Sequence, residues 1–215
     1  MKTVLVGNIL ERLLMSAYRF GPAYAYNLCA NPWVQWVAAL TPDECKQVIE
    51  AGEGKITKRA SIRTRDSDES YRRSNVSWLG EKDVPWLYEK LEYIAQQLNG
   101  QFYQFDLSGF DEDFQYTVYN SEEEGFYDWH ADSFSSVENN IDLRRPRKFS
   151  MTIQLDKPED YEGGDLLINP GREQTAPRGY GTCVAFPSFM LHKVTPVTKG
   201  IRRSLVVWIT GPQFR

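Results

Sequence analysis

The stretch GTCVAFPSFMLHKVTPVTKGIRRSLVVWITG, residues 181–211, gives the clearest indication of the fold. Two runs within it, 181–186 and 203–210, are rich in apolar and β-branched residues and are bounded by turn-forming residues, a pattern typical of short strands. Comparable runs precede it at 102–106, 114–119, 126–132, 148–155 and 164–168. A succession of short strands separated by turns predicts a mainly β protein, an antiparallel sandwich or jelly roll.

Two helices are predicted in the first half of the chain, ahead of most of these strands. Thr41 is a good N-cap, Pro42 suits the first helical position and Glu44 completes a capping box. This helix is expected to run to about Glu50. Apolar residues recur at helical spacing over 84–99 and predict the second helix. We expect both helices to flank the β structure on its outer face.

Length and charge limit the class of protein. A chain of 215 residues predicts one domain, which we assign to 36–215, preceded by an N-terminal arm of uncertain structure, 1–35. A net charge of −4 and a pI near 5.4 argue against a nucleic-acid partner or a membrane surface, because proteins that bind these are usually basic. No stretch of about 18 apolar residues could span a bilayer.

Cysteine usage indicates the compartment. Cys29, Cys45 and Cys183 are odd in number and share no CxxC-type spacing, so reduced thiols are the simplest interpretation. Glu11 and Arg12 interrupt the apolar part of the N-terminus, which therefore does not read as an export signal. We expect a soluble, cytoplasmic protein.

The chain has only two histidines, and both stand in positions that suit a metal. His130 precedes Asp132 by two residues, which on an extended segment puts both side chains on one face. With the distant His192 they supply two imidazoles and one carboxylate, the set that leaves open positions on non-haem Fe(II). The alternatives are two structural histidines in a jelly roll that binds no metal, or a cupin-like metalloprotein.

An arginine follows the second histidine and could bind an acidic ligand. A 2-oxo acid can chelate iron through its 1-carboxylate and ketone, and its far carboxylate then needs a buried cation, ideally arginine. Arg202 is the natural candidate, and Ser204 on the same face could add a hydroxyl donor. Strand alternation alone leaves open whether Arg202 or Arg203 points inward.

These segments resemble the prolyl-4-hydroxylase-like branch of the Fe(II)/2-oxoglutarate-dependent oxygenases. The similarity covers roughly residues 40–210 and is most specific in the C-terminal half. The segment 73–78 is also similar to a part of that family near the active-site mouth. The segments that carry the resemblance are Tyr119, Gly125–Asp132, Gly163–Leu166, Ala185–Ser188, His192–Val197, Gly200–Arg202 and Trp208.

The resemblance implies a double-stranded β-helix (jelly roll) and assigns the iron ligands. His130, Asp132 and His192 would hold Fe(II), and Arg202, ten positions after the second histidine, would bind the 5-carboxylate of 2-oxoglutarate. This selects Arg202 over Arg203 on family grounds.

The resemblance also implies further residues of the cosubstrate pocket and of its mouth. Tyr119 would point into the cosubstrate pocket. Gln154 stands where relatives have another tyrosine, which is a departure from the family pattern. The loop from Arg59 to Arg73 would act as a lid, although a solvated loop is the alternative. The residues that would line the mouth for substrate are Tyr127, Trp129, Arg73 and Trp208.

The implied reaction is hydroxylation of a C–H bond, with O2 as the second cosubstrate and 2-oxoglutarate decarboxylated to succinate and CO2. Asp132 favours hydroxylation over halogenation, because related halogenases lack the carboxylate ligand. A prolyl residue of a peptide or protein is the expected substrate, and a free amino acid or small metabolite is the alternative. Ascorbate is a candidate reductant. A nucleic-acid demethylase is disfavoured by the acidic chain and by Trp208, which replaces a second arginine.

Overall fold

The structure is a computed structural model and describes residues 31–56, 58–59, 70–133 and 145–213. Most of the expected arm, 1–35, and of the expected lid, 59–73, therefore lies outside the described residues. The helices are α1 (Pro42–Glu53) and α2 (Pro85–Leu98). The strands are β1 (Val34–Trp36), β2 (Lys58–Arg59), β3 (Arg72–Arg73), β4 (Asn75–Leu79), β5 (Phe114–Asn120), β6 (Phe126–His130), β7 (Arg147–Gln154), β8 (Tyr161–Gly163), β9 (Leu166–Asn169), β10 (Gln174–Thr175), β11 (Cys183–Pro187), β12 (Leu191–Val194) and β13 (Val197–Thr210).

The strands form two antiparallel sheets whose order is unlike their order in the chain. The large sheet runs β1-β11-β7-β13-β5-β4-β2, with β8 also paired to β13, and the small sheet runs β10-β9-β12-β6-β3. Apolar side chains of the two sheets pack together, among them Val184 and Val197 of the large sheet with Ile168 and Val194 of the small one. This mainly β architecture with flanking helices confirms the expected jelly roll.

The two helices cover the outer face of the large sheet. Leu87 and Leu91 of α2 lie in one buried cluster with Leu205 of β13. The helices therefore bury one face of the sheet, and the opposite face is left to line the space between the sheets.

The predicted capping box at the start of α1 is present. Glu44 N donates to Thr41 Oγ1, and Thr41 N donates to Glu44 Oε2.

α1 extends past the expected end at about Glu50 to Glu53 and includes Gly52, and Gly54 is its C-cap. A Cβ atom on Gly52 would lie 2.3 Å from the ring of Tyr116, so only glycine lets the helix approach β5 this closely. The glycine therefore marks a close contact between helix and sheet.

The strand predicted at 102–106 is wrong. Asn99–Tyr103 forms a π-helical turn that continues α2. The side chain of Asn99 then accepts from Phe105 N and donates to Phe105 O, which occupies the backbone groups that a strand would pair. Local side-chain hydrogen bonding thus overrides the apolar pattern. No helix in the described part of the chain is long and apolar enough to cross a membrane.

Candidate metal and cosubstrate site

The two histidines face each other on neighbouring strands of the small sheet. His130 ends β6 and is the direct antiparallel partner of His192 on β12. Their ring centroids are 4.1 Å apart. The ligand atoms of His130, His192 and Asp132 all lie within 4.8 Å of one another, so the three residues chosen from the sequence come together as one group.

β6 ends at His130, two residues before the strand end predicted at residue 132. Asp132 therefore reaches this group from the turn that follows the strand. Asp132 N and Ser133 N both donate to the carbonyl of Ser188, at 2.8 and 2.9 Å. The carboxylate then lies with Oδ1 3.8 Å from His130 Nε2 and Oδ2 3.6 Å from His192 Nε2. The shared carbonyl of Ser188 therefore holds the turn that presents the carboxylate.

Both imidazoles are oriented by backbone carbonyls. His130 Nδ1 lies 2.8 Å from Asp128 O, and His192 Nδ1 lies 2.9 Å from Met190 O. Because a carbonyl can only accept, each Nδ1 carries the proton and each Nε2 presents its lone pair to the centre of the group. Such second hydrogen bonds are typical of metal-binding histidines, since they fix the tautomer and the ring orientation.

The electrostatics of the group favour a neutral His130 beside an ionised Asp132. Burial, with a further contribution from His192, lowers the pKa of His130 to about 3. Burial alone would raise the pKa of Asp132, but interactions with His192, His130 and Arg147 and the hydrogen bond from Ser150 outweigh it and lower that pKa below its ordinary value. Two imidazole nitrogens and one carboxylate suit Fe(II), so the residues fit the metal that the sequence indicates.

Arg202 is buried on the face of β13 that lines the space between the sheets. It is 2% exposed, yet within the described ranges it pairs with no carboxylate. Nη2 donates to Gln154 Oε1 at 3.0 Å and Nη1 approaches Ser204 Oγ at 3.4 Å, while Nε has no partner there. The Tyr119 ring centroid lies 5.3 Å from its Cζ atom. An anionic ligand would therefore find a cation with several free donors.

Arg203 points the opposite way. Its guanidinium pairs with Asp156 and Glu53 at 2.9 Å each, on the helix side of the sheet. The two neighbouring arginines thus differ, since Arg203 is neutralised by carboxylates and Arg202 meets none in the described part of the chain. Arg202 is therefore the arginine that points inward, which strand alternation alone left open.

The four candidate substrate residues divide into two pairs. The Tyr127 ring stacks on His130 with centroids 3.5 Å apart, and Trp208 is buried on the inner face of β13, with its indole Nε1 lacking a partner among the described residues. Lys193 Nζ lies 4.7 Å from the centroid of the Trp129 ring. Arg73 Nη1 donates to Glu123 O. Lys193 alternates with His192 along β12, so Trp129 lies on the outer face of the small sheet.

A bulge explains why Tyr127 and His130 share a face although they are three residues apart. The register of β6 and β12 shifts between the His130–His192 pair and the Tyr127–Val194 pair. One extra residue on β6 reverses the alternation of its side chains. In a regular strand, residues three apart point to opposite faces, so the spacing in the sequence predicts that Tyr127 and His130 lie on opposite faces. No short-range pattern marks the bulge.

Two further residues near the metal group were not expected from the sequence. Ser150 donates to Asp132 Oδ2 at 2.7 Å. Arg72 lies over the Tyr127 ring, 4.5 Å from its centroid, and donates to Gln115 Oε1 through Nη2. Arg72 therefore faces the metal group, whereas its neighbour Arg73 does not. Alternation within the two-residue strand β3 is too short to be recognised in the sequence.

The chain is similar in sequence to a family of oxygenases and to proteins named hydroxylases. The profile of the 2OG-Fe(II) oxygenase superfamily matches residues 114–210. A PKHD-type hydroxylase of Colwellia psychrerythraea is 32% identical over 139 residues, 64% of this chain and 60% of the relative. One of Alteromonas mediterranea is 44% identical over 85 residues, 39% of this chain and 37% of the relative. The chain thus matches less than two thirds of the length of these relatives.

Similar solved structures share the fold at low sequence identity. A prolyl hydroxylase of Trichoplax adhaerens, in complex with a peptide fragment of hypoxia inducible factor, has a TM-score of 0.69 at 14% identity, covering 98% of this chain and 94% of that one. A viral collagen prolyl hydroxylase of Paramecium Bursaria Chlorella virus-1 has a TM-score of 0.63 at 20% identity, covering 85% and 97%. The sequence matches, this fold and the His-Asp-His group together make the chain similar to prolyl-hydroxylase-type proteins of the 2OG-Fe(II) oxygenase superfamily.

Proposed function

We propose that the protein is an iron(II)- and 2-oxoglutarate-dependent dioxygenase that hydroxylates a prolyl residue of a peptide or protein. The observation that carries this proposal is the guanidinium of Arg202, which is 2% exposed and pairs with no carboxylate among the residues that the structure describes. Burying a charge without a counterion is costly, so such a residue is expected where an anionic ligand completes the pair. A cupin-like protein that uses no 2-oxo acid would have no need of it.

The metal group and Arg202 line the same space, which supports one ligand spanning both. Arg202 Cζ lies 5.3 Å from the centroid of the Tyr119 ring. Tyr119 belongs to the same buried cluster as Phe186, whose ring centroid lies 4.7 Å from that of His192. A 2-oxo acid chelated at the metal could therefore direct its far carboxylate toward Arg202.

When bound, Fe(II), 2-oxoglutarate and O2 would supply the oxidising chemistry, with succinate, CO2 and a hydroxylated carbon as products. The residues of the chain have separate tasks. The metal would be held on one side by three residues, His130, Asp132 and His192. The cosubstrate would be oriented by Arg202, Ser204 and Tyr119. The buried setting limits access of bulk water to the reacting groups. Ascorbate as reductant belongs to the same proposal.

The prolyl substrate is supported by the names of the relatives and by the surfaces beside the metal group. Several structural neighbours are named prolyl hydroxylases, and one was solved with a peptide fragment. Tyr127 and Trp208 offer aromatic surfaces suited to a pyrrolidine ring, and Arg72 could donate to a peptide carbonyl. Trp129 and Arg73, on the outer face, would meet only the parts of a long peptide beyond the pocket.

We further propose that the reaction takes place in the cytoplasm, on a peptide and not on a nucleic acid. Cys45 and Cys183 are free thiols, as expected in a reducing compartment. The net charge of −4 disfavours binding to a polyanion.

The first test is an anaerobic titration of the apoprotein with Fe(II) and then 2-oxoglutarate. A visible charge-transfer band is expected on addition of the 2-oxo acid, because chelation through the ketone brings it into contact with the metal. Arg202→Gln should lose the band at the same cosubstrate concentration. Arg203→Gln is the matched control, since that arginine lies on the opposite face, and it should keep the band as long as it remains folded.

The second test identifies the substrate class. Prolyl peptides and free amino acids are incubated with the iron-loaded protein, and products are analysed by mass spectrometry for one added oxygen atom and for an equal amount of succinate. Oxygen on a prolyl peptide supports the proposal. Oxygen on a free amino acid alone would replace the peptide substrate, and iron binding without the charge-transfer band would favour the cupin-like alternative.

A further inference from the structure

Arg72 connects the two sheets beside the metal group without meeting a carboxylate. It lies opposite Tyr127 in the pairing of β3 with β6, and its Cζ atom is 4.5 Å from the centroid of that ring, which stacks on His130. Its Nη2 donates to Gln115 Oε1 of the large sheet at 3.0 Å, and its Nε donates to Ser74 Oγ at 2.8 Å. Both acceptors are neutral, so within the described ranges no carboxylate compensates the charge of Arg72.

The two acceptors hold the guanidinium in a defined position. Ser74 and Gln115 are buried, with exposed fractions of 1% and 7%. Thr117 Oγ1 also donates to Gln115 Oε1, at 3.2 Å, so two donors fix this oxygen. The guanidinium has more N–H bonds than these acceptors use: Nη1 has no partner in the described part of the chain and is not sealed in the interior. Arg72 therefore presents a positioned and accessible donor group.

A second arginine near the metal group shows the contrast. Arg147 lies with its Cζ atom 3.6 Å from the centroid of the Trp208 ring. Its Nε donates to Glu112 Oε1 at 2.6 Å, and its Nη2 pairs with the other oxygen of the same carboxylate. A bidentate carboxylate thus neutralises Arg147. Gln115 orients Arg72 but, being an amide, leaves the charge of that guanidinium in place.

The charges of the proposed complex balance without Arg72. Asp132 and the two carboxylates of bound 2-oxoglutarate would offset Arg202 and a dipositive metal. Arg72 therefore contributes a positive charge that none of these groups offsets. A peptide carbonyl can accept a hydrogen bond from Arg72 but cannot compensate its charge, whereas a carboxylate does both.

We propose that Arg72 determines substrate specificity by binding a carboxylate of the substrate close to the carbon that is hydroxylated. This inference rests on the function proposed above and narrows its substrate to prolyl peptides with an aspartyl or glutamyl residue next to the proline. Ser74 and Gln115 position the guanidinium, and the carboxylate takes the N–H bonds that they leave free. Charge-assisted hydrogen bonds are about twice as strong as neutral ones, so acidic peptides should bind more tightly than their amide counterparts.

The test is the affinity of protein loaded with Mn(II) and 2-oxoglutarate for matched prolyl peptides, which requires no turnover. Peptides with blocked ends carry Asp or Asn either before or after the proline, and isothermal titration calorimetry gives their dissociation constants. The wild-type protein should bind at least one Asp peptide about tenfold more tightly than its Asn counterpart, because a charge-assisted hydrogen bond replaces a neutral one. Equal affinity within each pair would overturn the inference.

Two variants assign the preference to Arg72. Arg72→Gln removes the charge and should reduce the preference for Asp to less than about twofold, while the affinity for the Asn peptide changes by less than about threefold. Gln115→Glu keeps Arg72 and supplies the carboxylate that the site lacks, so it should abolish the same preference. A folded Arg72→Gln protein that keeps the tenfold preference would refute the role of Arg72.

Controls separate a role in specificity from a role in folding. Arg172→Gln makes the same chemical change in the exposed turn between β9 and β10 and should leave every affinity unchanged. Thermal unfolding checks that each variant is folded. If Arg72→Gln does not fold, Gln115→Glu decides, and if neither folds, the comparison of Asp and Asn peptides in the wild-type protein decides alone.

The wild-type protein also distinguishes this inference from the proposed function. If it hydroxylates prolyl peptides but binds Asp and Asn peptides equally well, the role of Arg72 is refuted and the proposed function stands. If free proline binds in a manner that depends on Arg72 and no peptide binds, the carboxylate belongs to a free amino acid, and the peptide substrate is refuted. If the protein binds Mn(II) but no 2-oxoglutarate, the proposed function fails and the inference fails with it.

Discussion

Ser150 Oγ donates a 2.7 Å hydrogen bond to Asp132 Oδ2, and the serine is completely buried. Ser150 Oγ also lies 2.9 Å from Ser188 Oγ, so a short chain of hydroxyls leads from the turn after β11 to the carboxylate. The large sheet thereby orients a ligand whose two partner histidines belong to the small sheet. The metal group depends on contact between the sheets as well as on its own strands.

Replacing Ser150 by alanine should weaken metal binding while leaving the fold intact. Loss of a hydrogen bond that orients a metal ligand typically lowers metal affinity about 10- to 100-fold. Ser150→Thr keeps the hydroxyl and should retain most of the affinity, which makes it the matched control. The dissociation constant for Mn(II) can be measured by electron paramagnetic resonance, and an unchanged value for Ser150→Ala would show that Asp132 is oriented without this bond.

Replacing His130 or Asp132 by alanine should abolish both metal retention and hydroxylation. Each change removes one of three ligands, and the remaining two cannot hold iron by one face. Bound iron is quantified after gel filtration, and turnover is followed by succinate release. A variant with full turnover would contradict the assignment of these ligands. Gln96→Glu, on the exposed part of α2, serves as the surface control.

Gly164→Ala should destabilise the fold and disturb Arg202 together. Gly164 has φ +65°, and an added Cβ would lie 2.8 Å from Arg202 Cδ and 2.9 Å from Val197 Cγ2. Backbone strain and overpacking each cost about 1–3 kcal/mol, so the free energy of unfolding should fall by at least that amount. Urea unfolding measures this loss, and 2-oxoglutarate affinity should fall as well.

Gly100→Ala provides the comparison for that variant. No atom lies within 4 Å of a Cβ added there, and the residue follows α2 in the π-helical turn. Alanine should therefore leave the free energy of unfolding unchanged or raise it slightly, because it reduces the freedom of the unfolded chain. A similar loss of stability at both positions would contradict the argument from local geometry.

Cys45 and Cys183 should resist alkylation in the native protein. Burial raises the pKa of Cys45 to about 11 and the pKa of Cys183 well above its ordinary value. Since the thiolate is the reactive form, both should remain unmodified at about pH 8 and react once the chain is unfolded. Peptide mapping by mass spectrometry after iodoacetamide treatment compares the two states. Rapid native labelling of either thiol would indicate local opening.

Much of the fold could be predicted because its signals are local. The capping box at Thr41 and Glu44, the apolar spacing of α2 and the strand runs near β5, β7, β11 and β13 depend on residues close together in the chain. The short strands β3 and β12 were not predicted, because two to four residues paired with distant partners leave too little pattern. The Asn99 side chain likewise competes for backbone groups in a way that apolar spacing cannot reveal.

The sequence by itself determined the chemical set of the site: two histidines, one aspartate two residues after the first, and an arginine ten residues after the second. Tertiary structure alone decided that Arg72 faces the metal group and that Ser150 orients Asp132. Arg202 was selected over Arg203 by the resemblance, and the structure adds that Arg203 pairs with Asp156 whereas Arg202 pairs with no carboxylate of the described residues. The physical reason is that the type of a side chain determines which ligand it can bind, and the type is read directly from the sequence. The direction of a side chain depends instead on register and bulges, which form only when distant strands pair.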